Sequence, residues 1–490
     1  MIDKKGDLAK IVGGQNVLND PETLEAYSKD ESFVRPRRPL FVVRPQNVDE
    51  VQGIVRWANR TGTPLVPVSS GPPHFYGDTI PTAAGAIVVD LSRMKRIIKI
   101  DPKNRMTMIE PGVTYSELQP ELAKHGLRLT TPLLPRSNKS VVASQLEREP
   151  TLIPKYQWTL LEPLRCLEVV WGDGSKLWTG EAGERPPSLE EKWKLDLVQL
   201  DPQGPGQVDY YRLVSAAQGS MGIVTWATLR CEILPQLHKV FFIPAQKLDD
   251  LIECAYKLTR VRLGDEFFLV NGPNLAYVVG EGTDQIGALK ESFPPWIIVM
   301  GIAGRSYLPK ERVEFQEKDA TAIVQQFGLK LIPAIPGARG EQVLETIIGS
   351  SKERHWKLSY KRGCQSIFFL TTLNRVPEFI RTMYSVAAKM NYSTTEIGLY
   401  VQPLQQGVCC HCEFNLPYNP DNEREVSKMR DLFTQTSEEL IRQGAFFSRP
   451  YGIWADMEYN RAAQTTIMLR KVKGIFDPNH VLNPGKLCFG

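Results

Sequence analysis

The sequence lacks three features that would assign it to a secreted, membrane or nucleic-acid-binding class. The N-terminus, MIDKKGDLAKIVGG, has no apolar run of the kind found in signal peptides. The most apolar segments, such as Trp296–Ile302, fall far short of the ~20 residues that span a bilayer. The 59 Lys and Arg residues are mixed with 55 Asp and Glu residues, which gives a net charge of +4 and no basic block. We therefore expect a cytoplasmic protein with no membrane span and no nucleic-acid partner.

Cysteine is sparse, and its eight positions are scattered: 166, 231, 254, 364, 409, 410, 412 and 488. In a long chain this spacing is typical of reduced structural thiols rather than of a disulfide framework. Within GVCCHCEFNLPY, strand alternation places Cys409, His411 and Glu413 on one face and Cys410 and Cys412 on the other. These groups cannot all reach one metal ion, so the pattern favours a buried strand, and no metal site is predicted.

The 490 residues, 42% of them hydrophobic, are enough for roughly two to four domains at ~100–200 residues each. Up to about residue 235, short β-branched strands alternate with amphipathic helices, which are predicted over Val48–Thr61 and Tyr115–His125. Within Leu167–Thr179, the pair Asp173-Gly174 between two strands predicts a hairpin. This first part of the chain therefore predicts an α+β arrangement of helices against a mixed sheet.

A second domain of sheet and helices is predicted after a break near Pro235. Its pattern indicates helices over 248–261 and 309–327 and strands over 267–270 and 296–303. A last helix is predicted over 462–476. The turn-rich tail DPNHVLNPGKL follows it and is expected to return to the first domain.

The most informative stretch runs from Pro67 to Leu118. Its loop, VPVSSGPPHFYGDTIP, follows a strand and is interrupted by glycine and proline. Such a loop suits the binding of a diphosphate by backbone N–H groups. There is no G-x-G-x-x-G motif opening a βαβ unit, so a Rossmann dinucleotide site is disfavoured.

Four segments in order resemble the FAD-binding domain of the vanillyl-alcohol oxidase and para-cresol methylhydroxylase superfamily. They are the loop with its following EPGVTY element, the run from LEREP to the hairpin, GSMGIVTWATL, and the C-terminal IFDPNHVLNPGK. Each segment is weak alone, but four in the right order are specific. The resemblance covers both ends of the chain well and the middle poorly.

The resemblance implies an α+β, two-domain FAD-binding PCMH-type fold with a sheet-and-helix cap domain. It implies an FAD-binding domain over 1–236, a cap domain over 237–445 that shapes the substrate pocket, and a C-terminal segment over 446–490 that returns to the first domain.

The implied cofactor is FAD, bound noncovalently, with covalent attachment through His74 as the alternative. Pro72 and Pro73 lack N–H donors, so the hydroxyls of Ser69 and Ser70 are expected to compensate. The predicted FAD-binding residues are Pro67, Ser69, Ser70, Gly71, Pro72, Pro73, His74, Gly77, Ser140, Glu147, Gly219, Gly222, Ile223, Val224 and Lys486.

The predicted catalytic residues are Tyr76, Tyr156, His411 and Arg449. Tyr76 and Tyr156 resemble tyrosines that contact a phenolate in vanillyl-alcohol-type enzymes, and Arg449 resembles the active-site arginine. His411 is the candidate base because an imidazole can take up a proton near neutral pH.

The predicted substrate residues are Arg136, Tyr400, Gln402 and Glu413. Glu413 is a second candidate for the base. Two departures from the aryl-oxidising pattern stand out. Ser448 replaces the tyrosine expected before the arginine, and the stretch Pro132–Ser137 has Arg136 where an acidic residue is expected. A second cation suits an anionic substrate.

The implied function is an FAD-dependent dehydrogenase or oxidase that transfers hydride from a para-substituted phenol or aryl alcohol to flavin N5. Two alternatives remain at this point: a 2-hydroxy-acid dehydrogenase of the glycolate or D-lactate type, and a non-catalytic flavoprotein-like subunit of a redox complex. The resemblance also implies a homodimer or a subunit of a larger complex. The expected electron-acceptor protein is a cytochrome or an electron-transfer flavoprotein.

Overall fold

The computed structural model describes residues 3–154, 163–183, 189–195, 201–206, 208–351 and 354–490. Helices and strands are mixed throughout, and three large sheets carry them. The predicted α+β class is confirmed. No helix of the described residues is long and apolar enough to cross a bilayer.

The first sheet has four strands, and its three longer strands run parallel. Asn47 caps the packed helix 48–61 by accepting a hydrogen bond from the N–H of Glu50, and Gly62 ends that helix in a left-handed conformation. In spatial order the strands are Val17–Leu18, Phe41–Val43, Ile87–Asp90 and Leu65–Val68, and the helices nearby in sequence are Lys4–Val12, Pro21–Ala26 and Val48–Thr61.

The second sheet has five antiparallel strands. Its edge hairpin turns at Asp173-Gly174, where Gly174 has a φ of +83°, as its sequence predicts. In spatial order the strands are Ile97–Asp101, Met106–Ile109, Gly222–Arg230, Leu164–Trp171 and Lys176–Trp178. The helices of this part are Tyr115–Lys124, Val141–Leu146, Leu189–Lys194 and Tyr211–Val214.

The chain passes to a third sheet close to the predicted break. Glu232–Ile233 pairs with Leu127–Arg128, whereas Leu237–Ala245 is already the edge of the third sheet. In spatial order the six strands of that sheet are Leu237–Ala245, Trp296–Gly304, Phe267–Asn271, Gly398–Leu404, Cys409–Tyr418 and Gly363–Thr371.

Helices pack on both faces of this third sheet. The two helices predicted over 248–261 and 309–327 lie over 249–260 and 309–326. The pair Ala334–Ile335 and Ala338–Arg339 forms a separate small hairpin. The helices are Asp249–Arg260, Gly272–Val279, Gly282–Ser292, Pro309–Gln326, Gly340–Ile348, Val376–Lys389 and Glu423–Arg442.

The C-terminal segment returns to the first sheet. Helices Ile453–Tyr459 and Ala463–Phe476 precede a tail in which Asn483 N–H donates to Leu65 O, and Leu65 N–H donates to Val481 O. The ammonium of Lys473, fully buried, contacts Ser220 O, Asp477 and Leu482 O. These hydrogen bonds hold the tail against the strand Leu65–Val68, which is followed by the loop that begins at Ser69.

Candidate active site

A cavity of about 510 Å³ lies where the first two sheets meet the third. On one side it is lined by the loop that follows Val68, by the start of the helix 141–146 and by the turn before the strand 222–230. On the other side it is lined by 355–357, by five residues of the third sheet (364–366, Tyr400 and Glu413) and by the segment 449–454.

The loop after Val68 has unused backbone donors. The N–H groups of Ser69, Ser70 and Gly71 donate no hydrogen bond to any described residue. The carbonyls of Gly71 and Pro72 are turned to other partners, since Arg136 Nη1 donates to Gly71 O at 2.7 Å and Asn138 Nδ2 donates to Pro72 O at 2.8 Å. Free N–H groups beside a cavity suit an anionic diphosphate.

The turn at Gly219 shows why small residues stand on this wall. Gly219 has a φ of +65°, and a Cβ there would lie 3.2 Å from the ring of Pro67. At Gly222 a Cβ would lie 2.8 Å from Val169 Cγ1. These two glycines are therefore required by the packing of the wall itself, and the free N–H groups of the loop are the feature that fits FAD.

His74 lies in the same loop and lines the cavity. Burial, together with the nearby cations Arg136 and Lys139, lowers the pKa of His74 to about 3, so the ring is neutral. Neither ring nitrogen makes a hydrogen bond to a described residue, and Nε2 is fully buried. His74 therefore lines the cavity with a ring nitrogen, Nε2, that has no hydrogen-bond partner among the described residues.

The buried Lys139 and the half-buried Glu147 and Glu149 form a charged group in the cavity. Lys139 Nζ lies 2.6 Å from Glu147 Oε2 and 3.5 Å from Glu149 Oε1. Burial, opposed by Lys139 and assisted by Glu149, raises the pKa of Glu147 to about 7. The pKa of Glu149 is lowered, because Lys139, Ser144 and the two arginines Arg449 and Arg136 outweigh its burial. At neutral pH, Glu147 can thus exchange a proton while Glu149 stays ionised.

Arg449 lies among aromatic rings. Its guanidinium carbon is 4.3 Å from the centre of the Phe368 ring. Tyr76 packs edge-on against Phe368 at 5.4 Å and stacks on Tyr451 at 4.7 Å. Arg449 is only 4% exposed, and it makes no ion pair and donates no hydrogen bond to any described residue. Arg449 is thus a buried cation that faces the cavity, and no carboxylate in the described part of the chain lies at ion-pair distance from it.

Glu413 is the ionised carboxylate of the third-sheet wall. Lys357 Nζ lies 2.7 Å from its Oε1, and His411 Nε2 lies 3.0 Å from its Oε2. These partners hold the pKa of Glu413 well below its usual range in spite of burial. Burial also lowers the pKa of His411, whose ring packs beside Phe368 and Tyr400.

Comparison with known proteins identifies the two halves of this site. Residues 39–143 match the family model "FAD binding domain", and residues 369–487 match "FAD linked oxidases, C-terminal domain". The chain belongs to the FAD-linked oxidoreductases of the vanillyl-alcohol oxidase and para-cresol methylhydroxylase superfamily. It is an enzyme with FAD as its cofactor, as the sequence predicts.

Relatives of two substrate classes resemble this FAD-linked oxidoreductase. The D-2-hydroxyglutarate dehydrogenase of Stutzerimonas stutzeri is 23% identical over 98% of each chain. The flavoprotein subunit of 4-cresol dehydrogenase (hydroxylating) of Pseudomonas putida is 28% identical over 52% of this chain and 47% of that protein. The structure of 4-ethylphenol oxidase from Gulosibacter chungangensis aligns with a TM-score of 0.83 at 20% identity, covering 99% of this chain and 96% of that chain, which shows the shared fold.

Most of the predicted site residues of this oxidoreductase line the cavity. They are Pro67, Ser69, Ser70, His74, Tyr76, Arg136, Glu147, Gly219, Gly222, Ile223, Val224, Tyr400, Glu413 and Arg449. Their individual roles stay predictions. Tyr156 lies outside the described residues.

Two predicted pocket residues do not line the cavity. Gln402 is fully buried inside the third sheet, where its Nε2 donates to Phe267 O at 2.9 Å and its Oε1 accepts from Tyr400. His411 lies behind Glu413, because the hydrogen bond between them uses its Nε2. Of the two candidate bases on this strand, only Glu413 reaches the cavity.

Six predicted FAD-binding residues do not line the cavity, and three of them, Gly77, Ser140 and Lys486, make hydrogen bonds that support the loop after Val68. Lys486 Nζ donates to Gly77 O and Ile80 O, at 2.6 and 2.9 Å, and Gly77 N–H donates to Asp30. The N–H of Ser140 donates to the hydroxyl of Ser70 at 3.0 Å. The remaining three of the six are Gly71, Pro72 and Pro73.

Several lining residues of the oxidoreductase escaped sequence analysis. Tyr451 stands two residues after Arg449, in RPYG, and this closeness in sequence is the signal that points to it, although the family pattern has its tyrosine before the arginine. Lys139 and Glu149 flank predicted residues. His355 and Lys357 carry no motif in the sequence. Among the described residues, no group of His, Cys, Asp and Glu could hold a metal ion.

Proposed function

We propose that this enzyme oxidises a para-substituted phenol at the carbon next to the ring. The observation that carries the proposal is the buried Arg449, which forms no ion pair with a carboxylate of the described residues and lies among the rings of Tyr76, Tyr451 and Phe368. Flat rings suit an aromatic substrate, and a guanidinium suits its phenolate oxygen. A relative named 4-cresol dehydrogenase, after a para-substituted phenol, supports the choice of a phenol as substrate.

Tyr76 and Tyr451 act as hydrogen-bond donors in this proposal. Burial raises the pKa of both hydroxyls well above the usual value, so both keep their protons at neutral pH. A protonated hydroxyl beside Arg449 stabilises a phenolate and leaves the substrate rich in electrons at the para carbon.

Glu147 is the proposed acceptor of the phenol proton. A general base works best when its pKa lies near the working pH, and the pKa of about 7 meets this condition. Glu413 does not, because Lys357 and His411 hold it ionised. His411 is withdrawn from the cavity, and Tyr76 holds its own proton.

FAD, when bound, accepts the hydride that the substrate carbon gives up. The phenol O–H proton goes to Glu147, the benzylic C–H bond breaks with its electron pair, and the substrate becomes a quinone methide. Arg449 binds the phenolate until the electron pair leaves, and the rings around it exclude water. The acceptor that reoxidises the cofactor is proposed to be a partner protein.

Anaerobic mixing of the holoenzyme with 4-ethylphenol or with D-2-hydroxyglutarate tests the proposal. We expect the visible flavin absorbance to bleach with the phenol and not with the hydroxy acid. Arg449→Gln should slow bleaching strongly, whereas Arg381→Gln, on an exposed helix position, should not. Bleaching by the hydroxy acid alone would establish the second candidate function, which the further cation Arg136 in the cavity favours.

A further inference from the structure

Four basic side chains that are at most 10% exposed line the cavity: Arg136, Lys139, Lys357 and Arg449. Lys139 is paired with Glu147 at 2.6 Å, and Lys357 is paired with Glu413 at 2.7 Å. Arg136 and Arg449 have no ion pair with any described carboxylate. A buried cation without a partner is costly, so a cavity with two of them calls for two anionic groups.

Arg136 and its neighbours form a distinct subsite with Phe75 and His355. The Arg136 guanidinium carbon lies 5.7 Å from the centre of the Phe75 ring, and the His355 ring lies 5.2 Å from the same ring. Arg136 is 8% exposed, and its one hydrogen bond to a described residue, to Gly71 O, leaves further donors. His355 is 9% exposed, and its Nδ1 is buried without a partner.

The Arg136 subsite is joined to the proposed phenolate site by a continuous row of rings. Phe75 lies 6.4 Å from Tyr76, which in turn contacts Tyr451 and Phe368. Arg449 lies over Phe368 at the other end of this row. The two unpaired guanidiniums therefore stand at the two ends of one aromatic surface.

We propose that the substrate is a para-substituted phenol whose side chain carries a carboxylate, and that Arg136 and His355 bind this carboxylate. The inference rests on the proposed function, because it takes the phenolate to lie at Arg449. A guanidinium offers a planar fork of donors to a carboxylate, and a neutral imidazole with its proton on Nδ1 adds one more.

The carboxylates already in the cavity do not satisfy Arg136. Glu147 and Glu149 interact with it through space, but both form ion pairs with Lys139. The diphosphate of FAD is the other anion available. Its expected donors are the free N–H groups of Ser69, Ser70 and Gly71, whereas His355 comes from the opposite wall.

Matched substrates test the carboxylate directly on the wild-type holoenzyme. The probes are 3-(4-hydroxyphenyl)propanoate and its neutral amide, 3-(4-hydroxyphenyl)propanamide, with 4-ethylphenol as the parent compound. We expect KM for the acid to be about tenfold or more below that for the amide, as a charge-assisted contact implies. Equal kcat/KM for acid and amide would overturn the inference, whether or not any variant folds.

Variants then assign the effect to Arg136. Arg136→Gln should raise KM for the acid to that for the amide, so that the preference for the acid disappears, and should keep the FAD content of the wild type. Arg136→Lys keeps the charge and should retain part of the preference, and Arg381→Gln should retain all of it. Loss of FAD from Arg136→Gln, with all three phenols affected alike, would assign Arg136 to the cofactor diphosphate and overturn the inference.

The same experiment separates failure of the inference from failure of the proposed function. If the three phenols are oxidised without preference for the acid, only the carboxylate site is wrong. If none of the phenols bleaches the flavin and D-2-hydroxyglutarate does, the phenol function is wrong, and the inference falls with it.

Discussion

The ring of Tyr76 stacks on the ring of Tyr451, with centres 4.7 Å apart and 25° between the planes. The two residues come from opposite ends of the chain, one from the loop after the first parallel strands and the other from the segment after the third sheet. Their contact brings two hydroxyl-bearing rings to the cavity beside Arg449.

Removal of the two hydroxyls should weaken phenol oxidation without disturbing the stack. Tyr76→Phe and Tyr451→Phe keep the rings, so each is expected to lower kcat/KM for 4-ethylphenol by about tenfold, the value of one hydrogen bond of ~1.5 kcal/mol. Stopped-flow reduction of the flavin measures the effect. The double variant should lose less than the product of the two single losses, because both hydroxyls serve one oxygen. If both variants reduced the flavin at the wild-type rate, the phenolate would not bind beside Tyr76 and Tyr451.

Glu147 should set the pH dependence of the reaction. Its pKa is raised to about 7, so the proton-accepting carboxylate form increases as the pH rises through this value. We expect kcat/KM to rise with pH and to level off above about 7. Glu147→Gln should lower kcat/KM by about a hundredfold or more and remove this rise.

Glu149→Gln is the matched control for that titration. Glu149 raises the pKa of Glu147 by charge repulsion. In Glu149→Gln, kcat/KM should therefore still rise with pH, but the rise should occur at lower pH. If kcat/KM of Glu147→Gln rose with pH as in the wild type, a group other than Glu147 would be responsible for the pH dependence.

FAD should be bound noncovalently. A histidine that forms a covalent bond is normally activated by a hydrogen-bonded partner, and His74 makes no such bond to a described residue from either ring nitrogen. Acid precipitation of natively purified protein should therefore leave the yellow colour in the supernatant. Colour that stays in the pellet, with the flavin mapped to the peptide of His74 and lost in His74→Asn, would establish the covalent alternative.

Sequence alone was sufficient for the elements whose signals are local. The helix 48–61 has both of its ends where the sequence places them, since Asn47 caps its start and Gly62 ends it. The alternation in CCHCE also held, because a strand has only two faces: Glu413 reaches the cavity, and Cys410 and Cys412 lie in the core.

The composition of the cavity depended on contacts that no local signal describes. His355 and Lys357 meet Arg136 and Glu413 only because the segment after residue 349 pairs with Pro135–Ser137, where Ser351 N–H donates to Pro135 O. Gln402 likewise depends on a distant contact, because its side chain stays inside the sheet, where Nε2 donates a hydrogen bond to Phe267 O. Tertiary neighbours therefore decide which polar residues of a strand face the cavity.

The buried Lys473 should be essential for the C-terminal tail. Its ammonium contacts Asp477 and the carbonyls of Ser220 and Leu482, while Asp477 also accepts the N–H groups of Val481 and Leu482. Lys473→Met leaves Asp477 as a buried carboxylate without its cation, which costs about 3–5 kcal/mol. We expect a lower midpoint of thermal unfolding and faster proteolysis near residue 477, both measured on the holoenzyme. Lys471→Met, on the exposed face of the same helix, is the control and should change neither; equal effects of the two substitutions would show that the ion pair does not hold the tail.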